Sequence, residues 1–120
     1  MQIRTDLKEL YNERSKIQQQ MSKLTHKYIQ ECGDKPLLYI TEHAIVRYLE
    51  RVKGITFDES LQESEKLRTQ NVAPETIRAE MLSHKQQLDI VTHMRTMFYM
   101  NGLVYVIKGL SVVTVLKDER

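Results

Sequence analysis

Apolar positions along the chain change character twice, and each regime predicts a different kind of element. From Asp6 to Glu31 there is neither glycine nor proline, and Glu, Lys, Gln, Met and Leu dominate, a composition that favours helix. Ile3, Leu7, Leu10, Ile17, Met21, Leu24 and Tyr28 recur at alternate steps of four and three, with Arg14 in the missing place. This is a heptad pattern with one polar interruption. It predicts a long helix within residues 1–32, capped by Thr5 or Asp6 and ended by Gly33. Such a seam is either a coiled coil, in a dimer or on a partner protein, or an amphipathic cover for the chain's own sheet. Tyr11 and Ile29 broaden the stripe towards the second reading.

The middle of the chain alternates short apolar clusters with turn residues. Gly33-Asp34-Lys35-Pro36 is a turn by composition, and Leu37 to Ile40 reads as a short strand or extended linker. Thr41 then suits an N-cap, with Glu42 in the first turn, for a helix to about Val52, where Gly54 stops it. At about 100° per residue, Ile45, Tyr48, Leu49 and Val52 form an apolar stripe, and His43, Arg47 and Arg51 gather on the other side. Thr56 and Glu59 match a capping box for a helix through about Arg68, with Phe57, Leu61 and Leu67 buried and Glu63, Glu65 and Lys66 at the surface. Pro74 suits the first turn of a further helix carrying Ile77, Met81 and Leu82, which ends near His84 or continues through Ile90.

From Arg95 onward β-forming runs take over: TMFYM, then Asn101-Gly102, LVYVI, Lys108-Gly109 and LSVVTVL. Asn-Gly between apolar runs is a strong hairpin signal, so the segment predicts an antiparallel meander. The expected architecture is an α+β domain over residues 37–120, with the helices packed on one face of this sheet. The long helix stands as an appendage. No internal repeat or low-complexity tract interrupts this order.

Composition narrows the function classes. The chain has 120 residues, enough for a single modest core. Its 18 basic and 16 acidic side chains leave a net charge of +2, so nucleic-acid affinity has to come from local placement. One cysteine, Cys32, excludes an intrachain disulfide, and the expected setting is reducing and cytoplasmic, without membrane attachment.

The candidate chemistry lies on the His43 helix. A neutral imidazole one turn from Arg47 and close to Arg51 suits a base that takes a proton from a 2′-hydroxyl, while the guanidiniums hold the phosphate. An ordinary solvated helix face has the same spacing.

The order of elements and the stretch LLYITEHAIVRYLERV, with the closing VVTVL, resemble RelE-like and RegB-like small bacterial and phage endoribonucleases, including a domain family with a His-Ala-x2-Arg-x3-Arg motif. The resemblance covers residues 37–116 by element order and about fourteen residues by motif. It implies a metal-independent endoribonuclease of phage or toxin type, with no cofactor and no bound metal, acting on RNA, messenger RNA above all. His43, Arg47 and Arg51 match the motif. The second histidine of RegB-like enzymes has no counterpart, because Glu63 and Glu65 occupy its neighbourhood, so His93 and, after it, His84 are the candidates for a second proton-transfer group. Lys53, Tyr99, Tyr105 and Lys108 are candidate RNA contacts. Two rival readings stand beside the enzyme: a regulator or inhibitor that grips a host protein through Leu10, Ile17 and Leu24, and a module that binds nucleic acid without cutting it.

Overall fold

The computed structural model describes residues 2–33 and 35–119, with side chains from Asp6 onward in the first helix. The chain divides into two units, Met1–Gly33 and Asp34–Arg120. The first is one helix, α1 (Gln2–Cys32), which begins upstream of both expected caps. The seam side chains from Leu7 to Leu24 are exposed, Leu10 by 61% and Leu24 by 67%. The side chain of Ile3 lies outside the described residues.

The second unit is α+β. Its elements run β1 (Tyr39–Ile40), α2 (Glu42–Val52), α3 (Glu63–Arg68), α4 (Pro74–Met81), α5 (His84–Thr92), β2 (Met97–Met100), β3 (Leu103–Lys108) and β4 (Ser111–Lys117). The last three strands form the expected meander. Asn101 and Gly102 both have positive φ, 52° and 78°, the pair of conformations that a type I′ hairpin requires. The sheet is nonetheless mixed, not purely antiparallel: its order is β1-β4-β3-β2, and β1 pairs with β4 in parallel. A strand this short carries no periodicity of its own. Its place is set by Tyr39 N–H to Leu110 O at 2.9 Å and Thr41 N–H to Val112 O at 3.1 Å.

The core of this unit forms where α2 meets the sheet. Ala44, Ile45, Val46, Tyr48 and Leu49 are buried on the helix, and Tyr105, Ile107, Val112 and Val115 are buried on β3 and β4. Ile77 and Met81 of α4 and Ile90 of α5 complete it. Val52, assigned to the apolar stripe, is instead exposed at the last position of α2. Val46 takes part in the core in its stead.

One helix expectation needs correction. Thr56 and Glu59 do not cap a helix. The Asp58 carboxylate accepts from Ser60 N–H at 3.0 Å and Ser60 Oγ at 2.7 Å, a local turn that competes with helix, and α3 starts only at Glu63. Further on, α4 ends at Met81 and a separate α5 follows, started by a capping box in which Ser83 and Gln86 satisfy each other's backbone N–H groups. Lys66 is mostly buried and lies 3.8 Å from Glu59, so it is not the surface residue expected.

An edge strand exposes backbone groups to unwanted pairing. The outer side of β1 is closed by side chains. Arg78 Nε donates to Ile40 O at 2.8 Å, its guanidinium lies over the Tyr39 ring at 5.2 Å, and Gln87 Oε1 accepts from Leu38 N–H at 3.1 Å.

Candidate active site

The N-terminus of α2 is fixed by one residue acting in two directions. Thr41 Oγ1 accepts from Ala44 N–H at 3.1 Å, which caps the helix, and donates to Val112 O at 3.0 Å, which ties that cap to β4. Arg51 repeats the attachment nearly three turns later, since its Nε donates to Val115 O at 2.9 Å. Helix α2 is thereby bound to the sheet near both ends. His43 projects from its first turn on a rigid base.

His43 meets Glu63 across 20 residues of chain, with Nδ1 2.8 Å from Oε1. A carboxylate only accepts, so Nδ1 carries the proton and the neutral ring keeps Nε2 as its acceptor. The separation is that of a charge-assisted bond. Histidine bases are commonly oriented in this way, with a carboxylate setting the tautomer and favouring the imidazolium once a proton arrives. The His43 side chain is 42% exposed, so a substrate can approach it. Glu63 Oε2 is buried without a hydrogen-bond partner in the structure.

The remaining candidates divide. Arg47 follows His43 by one turn and has Nη1 3.4 Å from Glu50 Oε2, a weak pair on a half-buried face. Arg51 shares the face but spends its Nε on the sheet, so at least part of its role is structural. Lys53 is joined to Glu80 at 2.7 Å, and Glu80 accepts from Tyr48 Oη at 3.1 Å, a chain that links α2 to α4. Lys53 and Tyr48 both hold the Glu80 carboxyl below its usual range by hydrogen bonding. Burial, with Glu80 second, pushes the Tyr48 phenol up to about 12.

His93 lies elsewhere, at the C-terminus of α5. Its Nδ1 is 3.0 Å from both the backbone oxygen and the carboxylate of Asp89, which also receives Arg95 Nε at 2.9 Å. It belongs to this Asp89 cluster and shares no bond with His43. The Arg95 hydrogen bond, first among several causes, holds Asp89 below the usual carboxylate range. His84 is exposed at the first position of α5.

Tyr105 is a correction: it is 0% exposed, its hydroxyl reaches Met81 O at 3.5 Å, and burial pushes its pKa up to about 12. A ring enclosed on both faces offers nothing for a base to stack on, so Tyr105 belongs to the core. Tyr99 and Lys108 are exposed on the sheet, Tyr99 on β2 and Lys108 at the end of β3.

Glu63 is the candidate partner of His43 that helix periodicity misses. Its sequence context suggests a surface position, and it sits at the first position of a six-residue helix too short to show a stripe. The signal in the sequence is its neighbourhood, since the resemblance implies a second proton-transfer group where Glu63 and Glu65 stand. A cleft of about 500 Å³ lies between the start of α2 and helices α3 and α4, lined in part by Glu42, Ser64, Arg68 and Arg78, and neither His43 nor Glu63 is in its wall. Among the described residues no group of three or more His, Cys, Asp and Glu side chains is arranged to hold a metal, and no helix is long and apolar enough to cross a membrane. No family model, no curated protein and no solved structure matches the chain.

Proposed function

We propose that the protein is a metal-independent endoribonuclease of the RelE-like or RegB-like kind, in which His43 is the general base and Glu63 its orienting partner. The observation that carries this reading is the 2.8 Å contact between His43 Nδ1 and Glu63 Oε1, which leaves Nε2 as the acceptor on a partly exposed ring. In the proposed reaction Nε2 removes the proton of a ribose 2′-hydroxyl, and the resulting alkoxide attacks the adjacent phosphorus. The P–O5′ bond breaks, leaving a 2′,3′-cyclic phosphate and a 5′-hydroxyl. Glu63 holds the ring and supports the imidazolium, and the same imidazolium can return its proton to the departing O5′. One histidine then serves in turn as base and acid, so no second histidine is required of the site.

Arg47 and Arg51 occupy the next two turns of the same face and supply positive charge to the phosphate. Glu42, Glu50 and Glu63 surround this face, which weakens general attraction for RNA and agrees with the net charge of +2. Affinity therefore rests on a few placed contacts, Tyr99 and Lys108 among the candidates. The test is end chemistry: RNA cut by the protein in EDTA carries 2′,3′-cyclic phosphate, and a 2′-deoxy substitution at the cut site blocks cleavage. Cutting of the 2′-deoxy substrate would overturn the mechanism.

A second reading is favoured by a separate observation, the exposed seam of α1. It is that of an interaction protein whose activity depends on Leu10, Ile17 and Leu24. Retained cellular function in a His43→Ala variant, lost in Ile17→Asp, would select it.

A further inference from the structure

Helix α1 is 31 residues long and exposes Leu7, Leu10, Ile17, Met21 and Leu24 along one seam. An isolated helix gains little from such a stripe, since most helical stability in proteins comes from covering it. The edges of the seam identify the cover. With Leu7 and Leu10 at heptad positions a and d, Arg14 falls at a, Asp6, Glu13, Gln20 and Lys27 fall at g, and Tyr11, Gln18 and Thr25 fall at e.

We infer that α1 pairs with α1 of a second copy of this chain as an antiparallel two-stranded coiled coil. In the antiparallel arrangement g faces g, so Asp6 lies against Lys27 of the second copy and Glu13 against Gln20 of the second copy, each twice by symmetry. The same register seats Leu7 on Leu24 of the second copy, Leu10 on Met21 and Arg14 on Ile17, so the whole seam is covered. The aliphatic stem of Arg14 packs across that layer while its charged head reaches the helix edge.

The parallel arrangement is worse on each count. It puts Arg14 against Arg14 in a single core layer. Its g-to-e pairs are Asp6 with Tyr11, Glu13 with Gln18 and Gln20 with Thr25, none of which joins opposite charges. The Asp6 and Lys27 side chains are exposed and in place for the antiparallel pair, with Lys27 now only 4.0 Å from the exposed Glu31. This inference is independent of the proposed nuclease activity.

The lone cysteine gives the test. In the antiparallel register the two copies of Cys32, at the C-terminal end of α1, are about 50 Å apart at about 1.5 Å per residue, against about 10 Å in a parallel pair. The full chain, spin-labelled at Cys32, is sized by sedimentation and its label-to-label distance is measured by dipolar spectroscopy. A dimer with the long distance is the expected result. A monomer at micromolar concentration, a higher oligomer or a short distance overturns the inference. Charge exchange supplies a second measurement: Asp6→Lys raises the dissociation constant several-fold, and Asp6→Lys with Lys27→Asp restores it. Equal weakening in the single and double variants would contradict the register.

Discussion

Gln87 and Leu37 are joined by a hydrogen bond of 2.9 Å from the Leu37 N–H to the Gln87 side-chain oxygen, and the same oxygen accepts from Leu38 N–H at 3.1 Å. The Gln87 amide completes the arrangement by donating to Leu82 O at 3.3 Å. Gln87 is only 6% exposed, so these groups have no ready access to water. One side chain fixes the approach to β1 and hence the strand that delivers His43. Gln87→Ala, which strands two buried donors and an acceptor, is expected to cost about 2–4 kcal/mol, read from urea unfolding at neutral pH. A cost below about 0.5 kcal/mol, the range of ordinary surface substitutions, would show that this clamp is unimportant.

The Thr41 cap predicts a smaller loss with a specific rescue. Thr41→Ala removes both the cap to Ala44 and the link to Val112, and is expected to cost about 1–2 kcal/mol. Thr41→Ser keeps the hydroxyl and recovers most of it. If serine and alanine unfold at the same denaturant concentration, the hydroxyl is not what holds α2 in place.

The two buried phenols set an alkaline limit. The pKa values of Tyr48 and Tyr105 are raised from the ordinary value of 10.0 to about 12, chiefly by burial. Because the folded values lie above the unfolded one, the stabilisation is fully present below about pH 10 and is lost as pH rises through 12. Tyrosine absorbance should show these two ionising late, between about pH 10 and 12, together with cooperative unfolding. Tyr48→Phe and Tyr105→Phe should each remove part of the late absorbance change. Completion of the Tyr48 and Tyr105 titrations near pH 10 would contradict the burial described.

How much of this architecture is legible in the residues differs between its parts. The three strands of the meander, the Asn101-Gly102 turn, the Thr41 cap and the α1 seam all rest on local chemistry, and local chemistry is written in consecutive residues. β1 has two residues and is a strand only because β4 lies beside it. Gln87 looks like a surface residue until the groups it satisfies, about fifty residues back along the chain, are brought to it. Asp58 defeated the expected helix through a two-residue turn that Thr56 and Glu59 gave no sign of. At the site, the common face of His43, Arg47 and Arg51 follows from helical spacing, whereas the approach of Glu63 depends on how the loop after Gly54 returns α3 to α2. Tyr105 and Tyr99 are both strand tyrosines, and only the sheet register separates the buried one from the exposed one.

Glu63 acts on His43 in the proposed mechanism, so its removal should be milder than loss of the base. Glu63→Gln retains a hydrogen-bond acceptor without the charge and is expected to lower the cleavage rate by roughly 10–1,000-fold, with little change in RNA affinity, because orientation and imidazolium support are needed only as the proton moves. An equal effect on affinity and rate would place Glu63 in substrate binding instead.

The most direct measurement is single-turnover cleavage of a mixed pool of structured and single-stranded RNAs in EDTA, with wild-type protein beside His43→Ala and with circular dichroism showing both folded. The account predicts discrete cuts by the wild type and a loss of roughly 100-fold or more in the variant, the range set by removal of a general base. Cleavage at the same rate in both proteins would contradict the assignment of His43. Absence of cleavage by folded wild-type protein across the pool would contradict the nuclease reading and leave the exposed seam of α1 as the feature that explains the chain.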